Sequence, residues 1–153
     1  MITVTLERHA MEDVLQRLLA RTSNLRPAMA GIGMELENRI RDRIETQTDP
    51  AGRAWIGWAD STIARYPQDG HRRLLDRYGD MIRSLSYQAD AMSVSVGFGQ
   101  PYAAFHEFGT QRMPRRGLLT LDPERGQLAP ADEQAILDIL YDLLDDAINA
   151  GLG

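Results

Sequence analysis

The hydrophobic positions near the start of the chain repeat with the period of an α-helix. Apolar side chains recur at spacings of three and four residues between Ala10 and Arg21, and such positions form one stripe on a helix. Ahead of this stripe, Ile2, Val4 and Leu6 alternate with threonines, which favours a short strand. The pattern therefore predicts a strand followed by an amphipathic helix.

A second, longer helix is predicted to begin at Pro27 and to end before Pro50. Proline is well suited to the first turn of a helix, because its missing N–H has no partner there in any case. The apolar positions should be buried and the charged positions between them should face water. The apolar stripe contains Met29, Ile32, Leu36, Ile40 and Ile44, and the charged positions are Glu35, Arg39, Asp42, Arg43 and Glu45.

The segment 49–68 is rich in glycine and proline and contains both tryptophans, Trp55 and Trp58. A short helix is predicted over 60–66. A large aromatic side chain in an irregular segment serves either the core or a contact with a partner. We expect at least one of the two tryptophans to serve an interface.

Alternation of apolar and polar residues over 84–98 predicts an antiparallel hairpin that turns near Asp90. An isolated hairpin is marginally stable in water. We therefore expect a third strand, from 2–6 or from 118–121, and a helix packed on the apolar face. The fold class that follows is α+β, with a small antiparallel sheet packed against amphipathic helices.

The stretch from about 110 to 117 shows neither the helical spacing nor the alternation of a strand. It carries Arg112, Arg115 and Arg116 around Pro114. This pattern is typical of a mobile loop, and we expect its arginines to be unpaired. A last helix is predicted over about 131–149.

That last helix is acidic and ends with Asp142, Asp145 and Asp146. Each acid at this end of a helix is unfavourable by ~0.3 to 1 kcal/mol, because the helix dipole is already negative there. We expect the acids to meet the basic loop of a neighbouring copy. The alternative is that both patches are solvated faces, since exposed ion pairs contribute only ~0 to 1 kcal/mol.

Length and composition are those of one ordinary domain. The chain has 153 residues, of which 43% are hydrophobic and 25% charged, so a single domain over 1–153 is expected. Cysteine is absent, which excludes disulfides and thiol chemistry. Neither a membrane-spanning segment nor an apolar leader is evident, so we expect synthesis in the cytoplasm and no membrane contact.

Charge is distributed unevenly along the chain. The net charge of −5 divides into −1 over 1–50, +3 over 51–121 and −7 over 122–153, and every basic residue is arginine. A basic middle and an acidic end could recognise each other between copies.

No group of residues predicts catalysis, a cofactor or a metal. The histidines His9, His71 and His106 lie in different segments without the spacing of a zinc site. A metal-dependent nuclease would need carboxylates and a base, for which the candidates are Asp76, Asp80, His106 and Glu107. Asp76 and Asp80 are more simply explained as a solvated helix face.

The middle of the chain resembles the phage virion morphogenesis family, which includes tail completion and neck proteins of tailed phages. The resemblance covers 49–119 and is carried by ordered blocks, of which Tyr-Ala-x-x-His-x-x-Gly is the most specific. Tyr78 and Gly117 depart from the family's usual residues. The family-motif residues are Gly52, Gly79, Tyr102, His106, Gly109 and Pro114.

The resemblance implies a structural component of the virion, a tail completion or neck subunit assembled as a ring at the head-to-tail junction. Its expected partners are copies of itself, other neck or tail proteins and, transiently, genome DNA in the channel. The competing classes are a nucleic-acid-binding module and a metal-dependent nuclease. The block 101–109 is interpreted as a short helix closed by Gly109, whose Tyr102, Phe105 and Phe108 pack on the hairpin.

Overall fold

The computed structural model describes residues 9–21, 24–68 and 70–151, and the strand predicted at 2–6 lies outside them. Within the described residues, six helices and one antiparallel hairpin form the α+β fold that the sequence predicts. The helices are α1 (His9–Leu19), α2 (Arg26–Thr46), α3 (Asp60–Arg65), α4 (Asp80–Arg83), α5 (Ala103–Phe108) and α6 (Pro130–Gly151), and the strands are β1 (Leu85–Ala89) and β2 (Val94–Phe98).

Helix α2 is the central element, because both strands of the hairpin and α6 pack against it. All five positions of its predicted apolar stripe, from Met29 to Ile44, are buried. The hairpin approaches α2 closely at Gly33, where an added Cβ would lie 2.4 Å from a ring carbon of Tyr87. The predicted packing of a helix on the apolar face of the hairpin is confirmed.

The hairpin pairs Leu85 with Phe98 and Ala89 with Val94. At the turn, the Asp90 carboxylate accepts hydrogen bonds from the backbone N–H of Met92 (2.8 Å) and from the N–H and hydroxyl of Ser93. These bonds lower the pKa of Asp90, and the bond from Met92 has the largest effect. Within the described residues the sheet has two strands. The predicted third strand at 118–121 is wrong, because the backbone N–H groups of 118–120 donate to a buried carboxylate instead of a strand.

A buried ion cluster joins the start of α6 to α2. Asp132 is fully buried and accepts hydrogen bonds from the guanidinium groups of Arg39 (2.7 Å) and Arg43. Arg43 also donates to the carbonyl of Leu118 at 2.7 Å. The prediction that Arg43 faces water is therefore wrong, since a buried carboxylate needs a cation and lies within reach of this position.

Helix α6 runs antiparallel to α2. Its first turn lies beside Arg39 and Arg43, towards the C-terminal end of α2, whereas Ile139 lies beside Gly31, where an added Cβ would be 3.8 Å from the isoleucine side chain. The far end of α6 contacts α1, so the C-terminal end of α6 lies at the N-terminal end of α2. None of the described helices is long and apolar enough to cross a membrane.

Candidate functional site

Glu107 organises the chain that follows α5. Its side chain is 1% exposed and accepts hydrogen bonds from the backbone N–H groups of Leu118 (2.7 Å), Leu119 (2.9 Å) and Thr120 (2.9 Å). The hydroxyl of Thr120 and the guanidinium of Arg115 donate to the same carboxylate. Five donors around one carboxylate compensate for the burial of its charge. Glu107 therefore holds the backbone of 118–120 against α5.

The segment 110–117 is not the free basic loop that its composition suggests. Arg115 donates to the carbonyls of Glu107 and Thr120, each at 2.6 Å. Arg116 is buried and donates to the carbonyls of Ile56 (2.7 Å) and Gly57 (2.9 Å). The prediction of three unpaired arginines is wrong for these two, because irregular backbone nearby leaves carbonyls that require donors.

The remaining residues of this segment are more accessible. Arg112 is exposed, and Pro114 is half-buried. Gly109, which ends α5, has a positive φ of 74°, and an added Cβ would lie 3.0 Å from the backbone nitrogen of Arg115. Gly52 and Gly79 also have positive φ, at 82° and 77°, so the three family-motif glycines all mark turns.

The two tryptophans have different environments. Trp55 is 7% exposed, and its indole Nε1–H donates to the carbonyl of Gly117 at 3.0 Å. Trp58 is half-buried, and its ring stacks on Tyr66 with the ring centroids 4.6 Å apart. Trp55 is therefore a core residue, and Trp58 is the one that remains a candidate for an interface.

The stacked pair forms part of an open cleft of about 420 Å³. Its aromatic lining is contributed by four separate segments of the family-like region, which the tertiary structure brings together. These rings are Trp58, Tyr66, Tyr78, Tyr102 and His106.

Arginines surround the tyrosines of this cleft. The guanidinium carbon of Arg77 lies 5.1 Å from the ring centroid of Tyr78 and 5.9 Å from that of Tyr66, and that of Arg72 lies 5.8 Å from Tyr66. Such distances permit cation–π attraction. We define the aromatic cleft as these rings together with the arginines Arg72, Arg73 and Arg77 and the acids Asp76 and Asp80.

Local turns hold the aromatic cleft in shape. The hydroxyl of Tyr66 donates to the carbonyl of His71, and the His71 N–H donates to the carbonyl of Arg77 at 2.6 Å. At Gly79, an added Cβ would lie 2.7 Å from a guanidinium nitrogen of Arg83. These contacts connect the end of α3 with the start of α4. They hold the rings of Tyr66 and Tyr78 on the same side of the aromatic cleft.

Helix α5 turns its aromatic side chains outward. Tyr102, Phe105 and Phe108 are 40%, 57% and 48% exposed, whereas Ala103 and Glu107 are buried. The prediction that the three rings pack on the hairpin is wrong, because Glu107 must face inward to meet its backbone donors. The two phenylalanines of this short helix, with Tyr102 just before it, leave an apolar surface beside the aromatic cleft.

His106 is part of the aromatic cleft and also contacts the buried Arg116. Its backbone carbonyl accepts the N–H of Arg116 at 2.9 Å, while its side-chain Nδ1 is buried without a hydrogen-bond partner. Burial lowers the pKa of His106, and the nearby positive charge of Arg116 lowers it further. Both effects favour the neutral form of the side chain.

Of the four candidates for a nuclease, Asp76, Asp80 and His106 line the same cleft, whereas Glu107 is buried outside it. Glu107 is held by its donors, and Asp80 pairs with Arg83 on α4. Asp76 pairs with His71 and Arg73 and precedes α4, so the prediction that it shares an exposed helix face with Asp80 is wrong. The described residues contain no group of three or more acidic or histidine side chains that could hold a metal.

The acidic side chains near the end of α6 are exposed. Asp142, Asp145 and Asp146 face solvent and form no ion pair within the described part of the chain. Among the residues that the structure describes, these acids therefore lack charged partners. The same is true of Arg72 and Arg77 in the aromatic cleft, which lie outside the predicted basic loop.

Sequence reasoning missed the aromatic cleft because its rings are scattered over 58–106. A local signal was present in the two Arg-Tyr dipeptides, Arg65-Tyr66 and Arg77-Tyr78. Arginine beside tyrosine is common at contact surfaces, where both residue types are enriched.

The model of the phage virion morphogenesis family matches residues 6–145. The match extends well beyond the motif blocks and includes α2 and most of α6. A search of curated proteins finds no significant match, and neither does a search of solved structures.

This chain belongs to the phage virion morphogenesis family. Its role accordingly lies in the structure and assembly of a bacteriophage particle.

Proposed function

We propose that this chain is a tail completion or neck subunit that assembles as a ring at the head-to-tail junction. The observation that carries the proposal is the family match over residues 6–145. The exposed rings of α5 support it, since Phe105 and Phe108 form an apolar surface of the kind that assembly covers.

The role that we infer is structural and not enzymatic. Glu107, the most deeply buried of the nuclease candidates, serves to hold the backbone of 118–120. A catalytic carboxylate must be able to reach a metal or substrate, and this one is fully occupied. A nuclease is therefore the weaker alternative.

A nucleic-acid-binding module is the second alternative. The sequence feature that most favours it is the arginine-rich loop 110–117. In the structure, however, Arg115 and Arg116 donate to carbonyl groups within the monomer. The net charge of −5 also disfavours strong binding to DNA. We therefore propose that contact with genome DNA is transient, and that the main partners are copies of this chain and other neck or tail proteins.

Deletion of the gene tests the proposal most directly. We expect filled heads and free or unstable tails, with infectivity restored by the chain supplied from a plasmid in the host cytoplasm. A reconstruction of the complemented particles should contain the chain at the head-to-tail junction and reveal its copy number. Normal particles without the chain, or hydrolysis of DNA by the pure protein with Mg²⁺, would contradict the proposal.

A further inference from the structure

The aromatic cleft carries positive charge that no acid among the described residues neutralises. Arg65, Arg72 and Arg77 are exposed around Tyr66, and none of the three forms an ion pair within the described residues. The acids of the cleft are already paired, since Asp76 contacts His71 and Arg73, and Asp80 contacts Arg83. An incoming anionic surface would therefore meet unpaired guanidinium groups beside aromatic rings.

Helix α6 carries a surface with the opposite character. Asp138, Asp142 and Asp145 lie at i, i+4 and i+7 on its solvent side, and the exposed ring of Tyr141 lies between them. Residues at these spacings share one face of a helix. We call these four residues the acidic face of α6.

These two surfaces lie at opposite ends of the monomer. Arg73 of the cleft donates to the carbonyl of Ile44, and Leu74 contacts Gln47, so the cleft adjoins the C-terminal end of α2. The acidic face begins next to Ile139, which lies beside Gly31, and continues towards the N-terminal end of α2. Gly31 and Ile44 are roughly 20 Å apart along the axis of α2, so the two surfaces do not meet within one chain.

We propose that the aromatic cleft of one copy receives the acidic face of α6 from the next copy. The inference rests on the proposed function, because it specifies how subunits of the ring contact each other. Two different surfaces at opposite poles are what a closed ring with head-to-tail contacts requires. Charge complementarity selects the occupant, and Tyr141 supplies a ring that can stack among the tyrosines of the cleft.

Single-stranded nucleic acid is the other occupant that aromatic rings and arginines could bind. The acidic C-terminal part of the same chain favours the protein partner. Residues 122–153 carry a net charge of −7, so they would repel a nucleic acid near a ring but attract the cleft of a neighbour.

Cysteine crosslinking tests the contact cleanly, because the natural chain has no cysteine. The test variant carries Arg72→Cys and Asp142→Cys, both at exposed positions. Its matched control carries Arg112→Cys and Asp142→Cys, which places the first thiol in the loop 110–117. Each full-length variant is packaged in particles and treated with a short thiol-reactive crosslinker.

We expect a ladder of crosslinked multimers from the test variant, ending at the number of copies in the ring. A mixture of the two single-cysteine chains should stop at dimers. No ladder from the test variant, or an equal ladder from the control, would overturn the proposal. Absence of the variant from particles would count against the proposed function. The same crosslinking on the concentrated pure chain would then test whether the cleft and the acidic face of α6 contact each other.

Charge reversal provides a second test. Arg72→Glu with Arg77→Glu should lower the titre of complemented particles about tenfold or more, and adding Asp142→Arg with Asp145→Arg should recover part of it. The control Arg21→Glu with Arg112→Glu makes the same charge change elsewhere on the exposed surface. The proposal would be overturned if the control lowered the titre as much as the test pair. It would also be overturned if the test pair assembled normally but lost binding to single-stranded DNA.

Discussion

Two pairs of arginines in the basic middle of the chain have completely different environments in the structure. Arg115 and Arg116 donate to carbonyl groups and to the buried Glu107. Arg72 and Arg77 lie over tyrosine rings at the surface. The difference arises from the neighbours: the irregular backbone near the first pair supplies carbonyl acceptors, whereas the second pair faces solvent.

The comparison separates stability from recognition. A guanidinium group that satisfies buried carbonyls is required for the fold, because its removal leaves those carbonyls without donors. A guanidinium group over an exposed ring contributes little to the monomer and remains able to bind a partner. Substitutions in the two regions should therefore change different measurements.

The largest effect is expected for Glu107→Gln. The amide NH₂ would face backbone N–H groups of 118–120 that now donate to a carboxylate, and Arg115 would lose its buried partner. We expect the free energy of unfolding to fall by about 4 kcal/mol, within the range for breaking a buried charged network. Urea denaturation measures it, and a loss under about 1 kcal/mol would contradict the central role of Glu107.

Trp55→Ala should have the next largest effect. It removes a core side chain and the hydrogen bond to the carbonyl of Gly117, so we expect a loss of about 3 to 4 kcal/mol in the free energy of unfolding. Trp58→Ala is the matched control, because its ring is half-buried and should affect assembly more than folding. Equal losses of stability from both substitutions would place Trp58 in the core as well.

Arg116→Gln should destabilise the fold by about 2 kcal/mol, because the carbonyls of Ile56 and Gly57 would lose charged donors. Arg72→Gln, in the other region, should change stability by less than about 0.5 kcal/mol. Thermal melting of the two variants side by side makes the measurement. Similar melting temperatures would mean that the two arginine pairs do not differ as described.

The smallest effect concerns pH and His106. Burial and Arg116 hold its folded pKa below the ordinary value of 6.5, so the unfolded chain binds the proton more readily. Stability should therefore fall as pH drops through 6.5 towards the lowered folded pKa, and be regained at higher pH. His106→Gln should remove this component of the pH dependence, whereas His71→Gln, at an exposed position, should retain it. Melting temperatures across this pH range provide the test.

Periodicity in the sequence was enough to predict the main elements. The apolar stripes of α2 and α6 repeat with the helical spacing, and alternation over 84–98 identified the hairpin and its turn at Asp90. The family blocks were also local, since positive φ at Gly52, Gly79 and Gly109 is a property of single turns. These features could be predicted because each depends on residues close together in the chain.

The inward and outward faces of α5 could not be predicted in this way. Three aromatic residues at spacings of three suggest a buried stripe, but Glu107 faces the interior and turns Phe105 and Phe108 outward. The choice depends on donors eleven to thirteen residues away. Burying the carboxylate is favourable only when those donors are already arranged around it.

The same limit applies to charge. The sequence by itself determined that an acidic end and a basic middle exist, because counting residues is sufficient for that. The tertiary structure decided which charges are used internally, as it paired Asp132 with Arg43 across α2 and α6 and left Arg72 at the surface. The physical reason is that desolvation of a charge depends on everything packed around it, and those neighbours come from distant parts of the chain.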